Sequence, residues 1–135
     1  MKKKICIIVA NYYPKISREL LIGAINVLKK QNIKNYKIIH SPGVFEIPVI
    51  ISKKLKQFHG FIALGCVIKG KTPHFELISQ AVNNSIIDIS INNKKPIGNG
   101  ILTCLNKKQA LLRSNFKKKD KGGEAAKAVL SVLKI

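Results

Sequence analysis

Tryptophan is absent from this 135-residue chain, and phenylalanine and tyrosine together make up only 6% of it. Surfaces that bind nucleic acid by stacking bases on exposed rings need more than that. Cysteine appears three times, as Cys6, Cys66 and Cys104. An odd count without CxxC spacing gives neither a disulfide framework nor a zinc site. Cys6 and Cys66 lie in apolar runs and read as small buried hydrophobes, which suits a reduced, cytoplasmic protein. No hydrophobic run approaches the roughly 20 residues of a membrane span. Lys2–Lys4 followed by Ile5–Ala10 imitates a signal peptide, but the run is too short and no small-residue cleavage site follows it. Internal repeats, linkers and low-complexity segments are also missing. A hydrophobic share of 46% over 135 residues is ordinary for one soluble domain, taken here as residues 1–135.

Negative charge is scarce as well. Six Asp and Glu stand against 25 Lys and Arg, for a net charge of +19. Such a balance raises nucleic acid or an anionic membrane as a partner. Its make-up points elsewhere. Arg18 and Arg113 are the two arginines, the other basic residues are lysine, and Ile and Asn are abundant. Lys, Ile and Asn share AT-rich codons, and lysines scattered along the whole chain fit mutational drift better than a contact surface. No nucleic-acid reading motif is present, so neither a specific nucleic acid nor a membrane is expected as a partner.

What is present alternates. Ile5–Ala10 is a continuous β-branched run, as in a strand covered on both faces. Residues 16–31 carry Leu20, Leu21, Ala24, Ile25 and Leu28 at helical spacing, with Ser17 as the expected N-cap. Tyr36–His40 reads as a strand, Ser41-Pro42-Gly43 as its turn, and Glu46–Phe58 as a helix with Pro48 in its first turn. Phe61–Ile68 is a third strand. Thr72 is placed to cap the next helix, with Pro73 at its first position and the body over His74–Ile91. Ile97–Leu102 is a fourth strand, and helices follow over Lys107–Asn115 and Lys121–Leu133. This alternation predicts an α/β fold with a parallel sheet between helices. Ligands of such sheets collect at the carboxyl ends of the strands. Those ends are residues 11–14, 41–46, 69–74 and 103–106.

They hold most of the unusual residues. Gly70-Lys71-Thr72-Pro73-His74 leaves a buried strand and opens a helix, a geometry suited to one phosphate and equally to an ordinary capped helix start. Nothing matches GxxxxGK[ST], which argues against nucleoside triphosphates. His74 can move protons near neutral pH or simply face solvent. His40 and His59 read as structural or exposed. No histidine pair has metal-ligand spacing, so no metal is expected. Glu46 at a helix start is explained by the dipole alone, or by hydrogen bonds to a polar ligand. Tyr12 offers a stacking surface or a core-closing ring, and Arg113 suits bidentate phosphate binding.

Five segments carry a family resemblance: residues 41–48 (SPGVFEIP), 65–76 (GCVIKGKTPHFE), 97–103 (IGNGILT), Gln109-Ala110 with Arg113, and Asp120-Lys121-Gly122-Gly123. In order and over nearly the whole chain, they resemble the 6,7-dimethyl-8-ribityllumazine synthases. The resemblance implies a three-layer α/β/α, flavodoxin-like sandwich. It also implies condensation of 5-amino-6-(D-ribitylamino)uracil with 3,4-dihydroxy-2-butanone 4-phosphate, without metal or cofactor. Residue by residue, it makes His74 the proton-transfer group and Gly70, Lys71 and Thr72, with Arg113, the phosphate site. Tyr12 then stacks on the pyrimidine, Phe45 and Glu46 line the ribityl pocket, Val67 and Ile68 line the ring site, and Lys121 lies near the pyrimidine carbonyl. The family's pocket lies between subunits of a homo-oligomer, so Asn99, Arg113 and Lys121 are expected from a neighbour.

Some positions depart from the family pattern. Tyr13 and Asn99 stand where many members have Asn and an aromatic, which weakens the expected stacking sandwich. Lys71 adds a cation beside the phosphate, and Pro73 stiffens the approach to His74. A chain that starts almost at its first strand, and a lysine-rich rather than glycine-rich bend over residues 115–120, imply a free pentamer rather than a shell. Two rival classes are a basic nucleic-acid binder, resting on charge alone, and a flavin- or lumazine-binding module without catalysis. The presence of His74, the phosphate loop and Arg113 together argues against the second.

Overall fold

Ile5, Ile7 and Val9 turn to one side of their strand and Cys6, Ile8 and Ala10 to the other, and all six are buried. A strand apolar on both faces needs a helical layer on each, and the chain supplies them. A computed structural model describes residues 2–135. Its elements are β1 (Ile5–Ala10), α1 (Pro14–Lys30), β2 (Tyr36–Ser41), α2 (Ile47–Lys54), β3 (Gly60–Ile68), α3 (His74–Asn93), β4 (Ile97–Cys104), α4 (Lys107–Ser114) and α5 (Lys121–Leu133). The four strands form one all-parallel sheet in the order β2-β1-β3-β4. The α/β class expected from the alternation is borne out. One core lies between the sheet and α1, α4 and α5; the other lies between the sheet and α2 and α3.

The chain order reverses between β1 and β3, because β1 passes to β2 on one side while β3 passes to β4 on the other. That switch point opens a crevice at the carboxyl ends of the two strands. The loop after β1, which carries Tyr12, and the start of α3, which carries His74, flank it.

Three local expectations need correction. Ser17 does not cap α1. The helix opens at Pro14, whose fixed φ suits a first helical position, and Tyr13 takes the cap position. Ser17 is buried inside the first turn, where its hydroxyl lies 2.7 Å from the Ala10 carbonyl and 3.0 Å from that of Tyr13. The helix expected over Glu46–Phe58 is shorter: Val44–Glu46 form a 3-10 turn, and α2 ends at Lys54. Phe58 is drawn away from helical geometry into the core, edge-on to Phe61 at 5.9 Å. At α3, Pro73 precedes the helix rather than opening it, and its carbonyl accepts from Leu77 N–H at 3.2 Å. Thr72 Oγ1 accepts from His74 N–H at 3.4 Å, a long bond, so Thr72 supports the turn without standing at the cap.

Packing between α1 and α5 depends on one missing side chain. A Cβ on Gly122 would strike the Leu20 backbone, so only glycine lets the two helices approach this closely. Asp120, just before α5, adopts a left-handed conformation (φ 47°), and its carboxylate accepts from Gly123 N–H at 3.1 Å. That cap fixes where α5 begins.

A cavity at the strand switch point

The crevice between β1 and β3 is a cavity of about 370 Å³. Tyr12 and Tyr13 wall it from the β1–α1 loop, Gly43 to Glu46 from the turn after β2, and Cys66 to Ile68 from the end of β3. Gly70, Thr72, His74, Phe75 and Ile78 close the remaining side. Eight residues singled out from the sequence therefore converge on one space: Tyr12, Phe45, Glu46, Val67, Ile68, Gly70, Thr72 and His74. The volume is that of a small-molecule site, apolar on its floor with a few polar groups at its rim.

Each wall follows from local sequence. Ser41 is buried and its hydroxyl donates to Gly43 O at 2.6 Å, tightening the turn that delivers Phe45 and Glu46. The Glu46 carboxylate folds back over Gly43, where a side chain would crowd it. Phe45 and Tyr12 leave large rings in solvent, at 60% and 73% exposure. Exposure on that scale, on two aromatics facing one cavity, leaves flat surface free for a ligand. His74 stands in the first turn of α3 and is exposed at the rim. Thr72 is exposed beside it, and Gly70 has open space where a Cβ would project.

Cys66 forms part of the floor. Burial, and the neighbouring thiol of Cys104, push its pKa up to about 12. It stays a protonated thiol at neutral pH, and thiols in that state are poor nucleophiles. The Tyr13 phenol is also pushed up, chiefly by burial. Both groups stay protonated at neutral pH.

Four expected residues lie away from this cavity. Lys71 is exposed on the loop but does not line it. Asn99 projects from β4 and donates to Asn83 Oδ1 at 2.8 Å, on the α3 side. Arg113 lies on α4, with Nη1 3.7 Å from the Cys104 sulfur. Lys121 pairs with Glu124 at 3.1 Å on α5. The cavity of one chain thus gathers the loop, the histidine and the aromatic, but no arginine. Among the described residues no cluster of three or more His, Cys, Asp or Glu side chains could hold a metal, and no helix is long and apolar enough to cross a membrane.

Tyr13, Phe75 and Ile78 were not singled out as site residues. Phe75 and Ile78 follow His74 at one and four positions, so helical spacing from His74 already puts Ile78 on its face. Tyr13 stood out in the sequence only as a departure from the family pattern, because the side it faces depends on where α1 begins.

Comparison with known proteins agrees with this geometry. A family model described as 6,7-dimethyl-8-ribityllumazine synthase matches residues 2–135. A protein of that name from Buchnera aphidicola subsp. Baizongia pistaciae is 45% identical, over 99% of this chain and 87% of its own length. Another from Bartonella bacilliformis is 42% identical over 94% of this chain and 86% of its own. One from Arthrobacter sp. is 38% identical, covering 95% and 81%.

Proposed function

The chain belongs to the 6,7-dimethyl-8-ribityllumazine synthase family, and from that membership we propose how its cavity performs the family's reaction. The enzyme condenses 5-amino-6-(D-ribitylamino)uracil with 3,4-dihydroxy-2-butanone 4-phosphate, releasing phosphate and water, in riboflavin biosynthesis. The observation that carries the reading is the convergence of His74, Gly70, Thr72, Tyr12 and Glu46 on one cavity.

The uracil ring lies against Tyr12, over the apolar floor of Val67 and Ile68. Its ribityl chain extends past Phe45 toward Glu46, whose carboxylate accepts hydroxyl hydrogen bonds. The butanone phosphate docks on Gly70, Lys71 and Thr72, where the start of α3 favours negative charge. Amine and ketone form an imine with loss of water, and phosphate leaves by elimination. The ribitylamino nitrogen then attacks the carbonyl left after elimination, and loss of a second water closes the lumazine ring. His74, in reach of the phosphate loop and the ring site, moves the protons these steps require. Holding both substrates in register supplies much of the acceleration.

A second copy of the chain completes the site, giving a homo-oligomer with pentameric rings. Arg113, Asn99 and Lys121 lie off the chain's own cavity, and Arg113 is the group that a bound phosphate would draw into a bidentate pair. Exposed Leu77, Ile87 and Ile91 on α3 supply apolar surface for a neighbour. Residues 1–135 act as a single domain in the cytoplasm, the usual place for an enzyme of this family.

The test is lumazine formation by purified protein, followed by absorbance at limiting concentrations of both substrates. Turnover well above the buffer rate is expected, and Arg113→Ala should abolish most of it. A rate equal to buffer overturns the assignment.

A further inference from the structure

Tyr12 is the most exposed aromatic of the cavity, and a ring that free needs something to hold it if it is to present one face. Its neighbour does so. Tyr13 meets the Tyr12 ring edge-on, with centroids 4.9 Å apart and planes at 84°. Tyr13 is half-buried and packs against the core between the sheet and α1. Its backbone is tied down as well: the Tyr13 carbonyl accepts from Ser17 N–H at 2.9 Å, and the buried Ser17 hydroxyl reaches both that carbonyl and Ala10 O. The end of β1 and the first turn of α1 are thereby clamped together around residues 11–13. Tyr13 is fixed at its root, while Tyr12 stands largely in solvent beside it.

We propose that Tyr13 is a positioning residue: its ring, anchored in the core, sets the plane of Tyr12 and so the face on which the pyrimidine stacks. This rests on Tyr12 being the stacking surface. Burial raises the Tyr13 phenol further above its ordinary value, so at neutral pH it is an uncharged ring with its hydroxyl proton in place.

A double-mutant cycle on the assembled enzyme separates the two claims. Tyr13→Ala should raise the KM for the aminouracil roughly three- to tenfold, the range of an edge-to-face aromatic pair. The KM for the butanone phosphate should stay unchanged. Tyr13→Phe, which keeps the ring, should remain within about twofold of wild type. Tyr13→Leu keeps apolar packing and should behave like Tyr13→Ala, which covers the case that alanine prevents folding. In a Tyr12→Ala background, Tyr13→Ala should add nothing. If it raises KM there by the same factor, Tyr13 acts on the ligand by itself and the proposal fails. If Tyr12→Ala raises KM while neither Tyr13→Ala nor Tyr13→Leu does, the proposal fails and stacking on Tyr12 stands. If Tyr12→Ala alone changes nothing, the stacking reading falls and takes this proposal with it.

Discussion

His74 shows what a single position in a fold can do. It stands at the rim of the cavity, one helical turn from Ile78 and next to the loop proposed for the phosphate. Glu46, across the cavity, is placed to accept hydrogen bonds, and Cys66 stays protonated. His74 is therefore the side chain here best suited to exchange protons near neutral pH. Replacing it with alanine should lower kcat by about ten- to a few hundred-fold, with the KM for the butanone phosphate little changed. The small end of that range applies if the substrates react readily once aligned. Steady-state rates at saturating concentrations check this, and an unchanged kcat removes His74 from the chemistry. Arg113 is a contrasting case. Its residue type suggested phosphate, yet in its own chain it faces a buried thiol. Residue type told which chemistry to expect, and only the packing of α4 told where it lies.

At the scale of elements, the central strands β1 and β3 were legible as unbroken apolar runs because both of their faces are buried. The edge strands β2 and β4, polar or glycine-containing in places, were legible from their β-branched residues and their place in the alternation. Helix starts were harder to read. Ser17 resembles a cap, but Pro14 opens the helix earlier and the serine serves instead as a buried clamp. Glu46 likewise falls in a 3-10 turn before α2, since Pro48 suits a helix that begins only one residue earlier, at Ile47. Asp120 illustrates a cap with a cost. Burial raises its carboxyl pKa, against the opposing effects of Gly123 N–H and Lys127. A carboxyl raised on folding holds its proton more tightly in the folded chain. Its contribution to stability is then fully present below the unfolded value and is lost as pH rises through the folded value. Asp120→Asn keeps the acceptor and removes the titration. Thermal melts between about pH 3 and pH 6 should show wild type losing ground to the variant as pH rises. A difference that does not vary with pH would contradict this account of the cap.

For the whole molecule, the sheet order explains why distant segments meet. The reversal between β1 and β3 brings residues 12, 45 and 74 to one crevice, which no local spacing could reveal. The strand–helix alternation pointed to these segments, since ligands of a parallel sheet collect at the carboxyl ends of its strands. The proposal that subunits share the site rests on Arg113 lying off the cavity of its own chain. Native mass should accordingly come in multiples of five times the 15.0 kDa chain. A monomeric mass under assay conditions would contradict a shared site.

The most direct measurement mixes two impaired enzymes. His74→Ala and Arg113→Ala proteins, dissociated together and reassembled in equal amounts, form rings in which some sites take His74 from one chain and Arg113 from the next. Random assortment leaves about one site in four with both groups, so lumazine formation should recover to roughly a quarter of the wild-type rate. If Arg113 serves the cavity of its own chain, or if the cavity does not make lumazine at all, the mixture will be no more active than its parents.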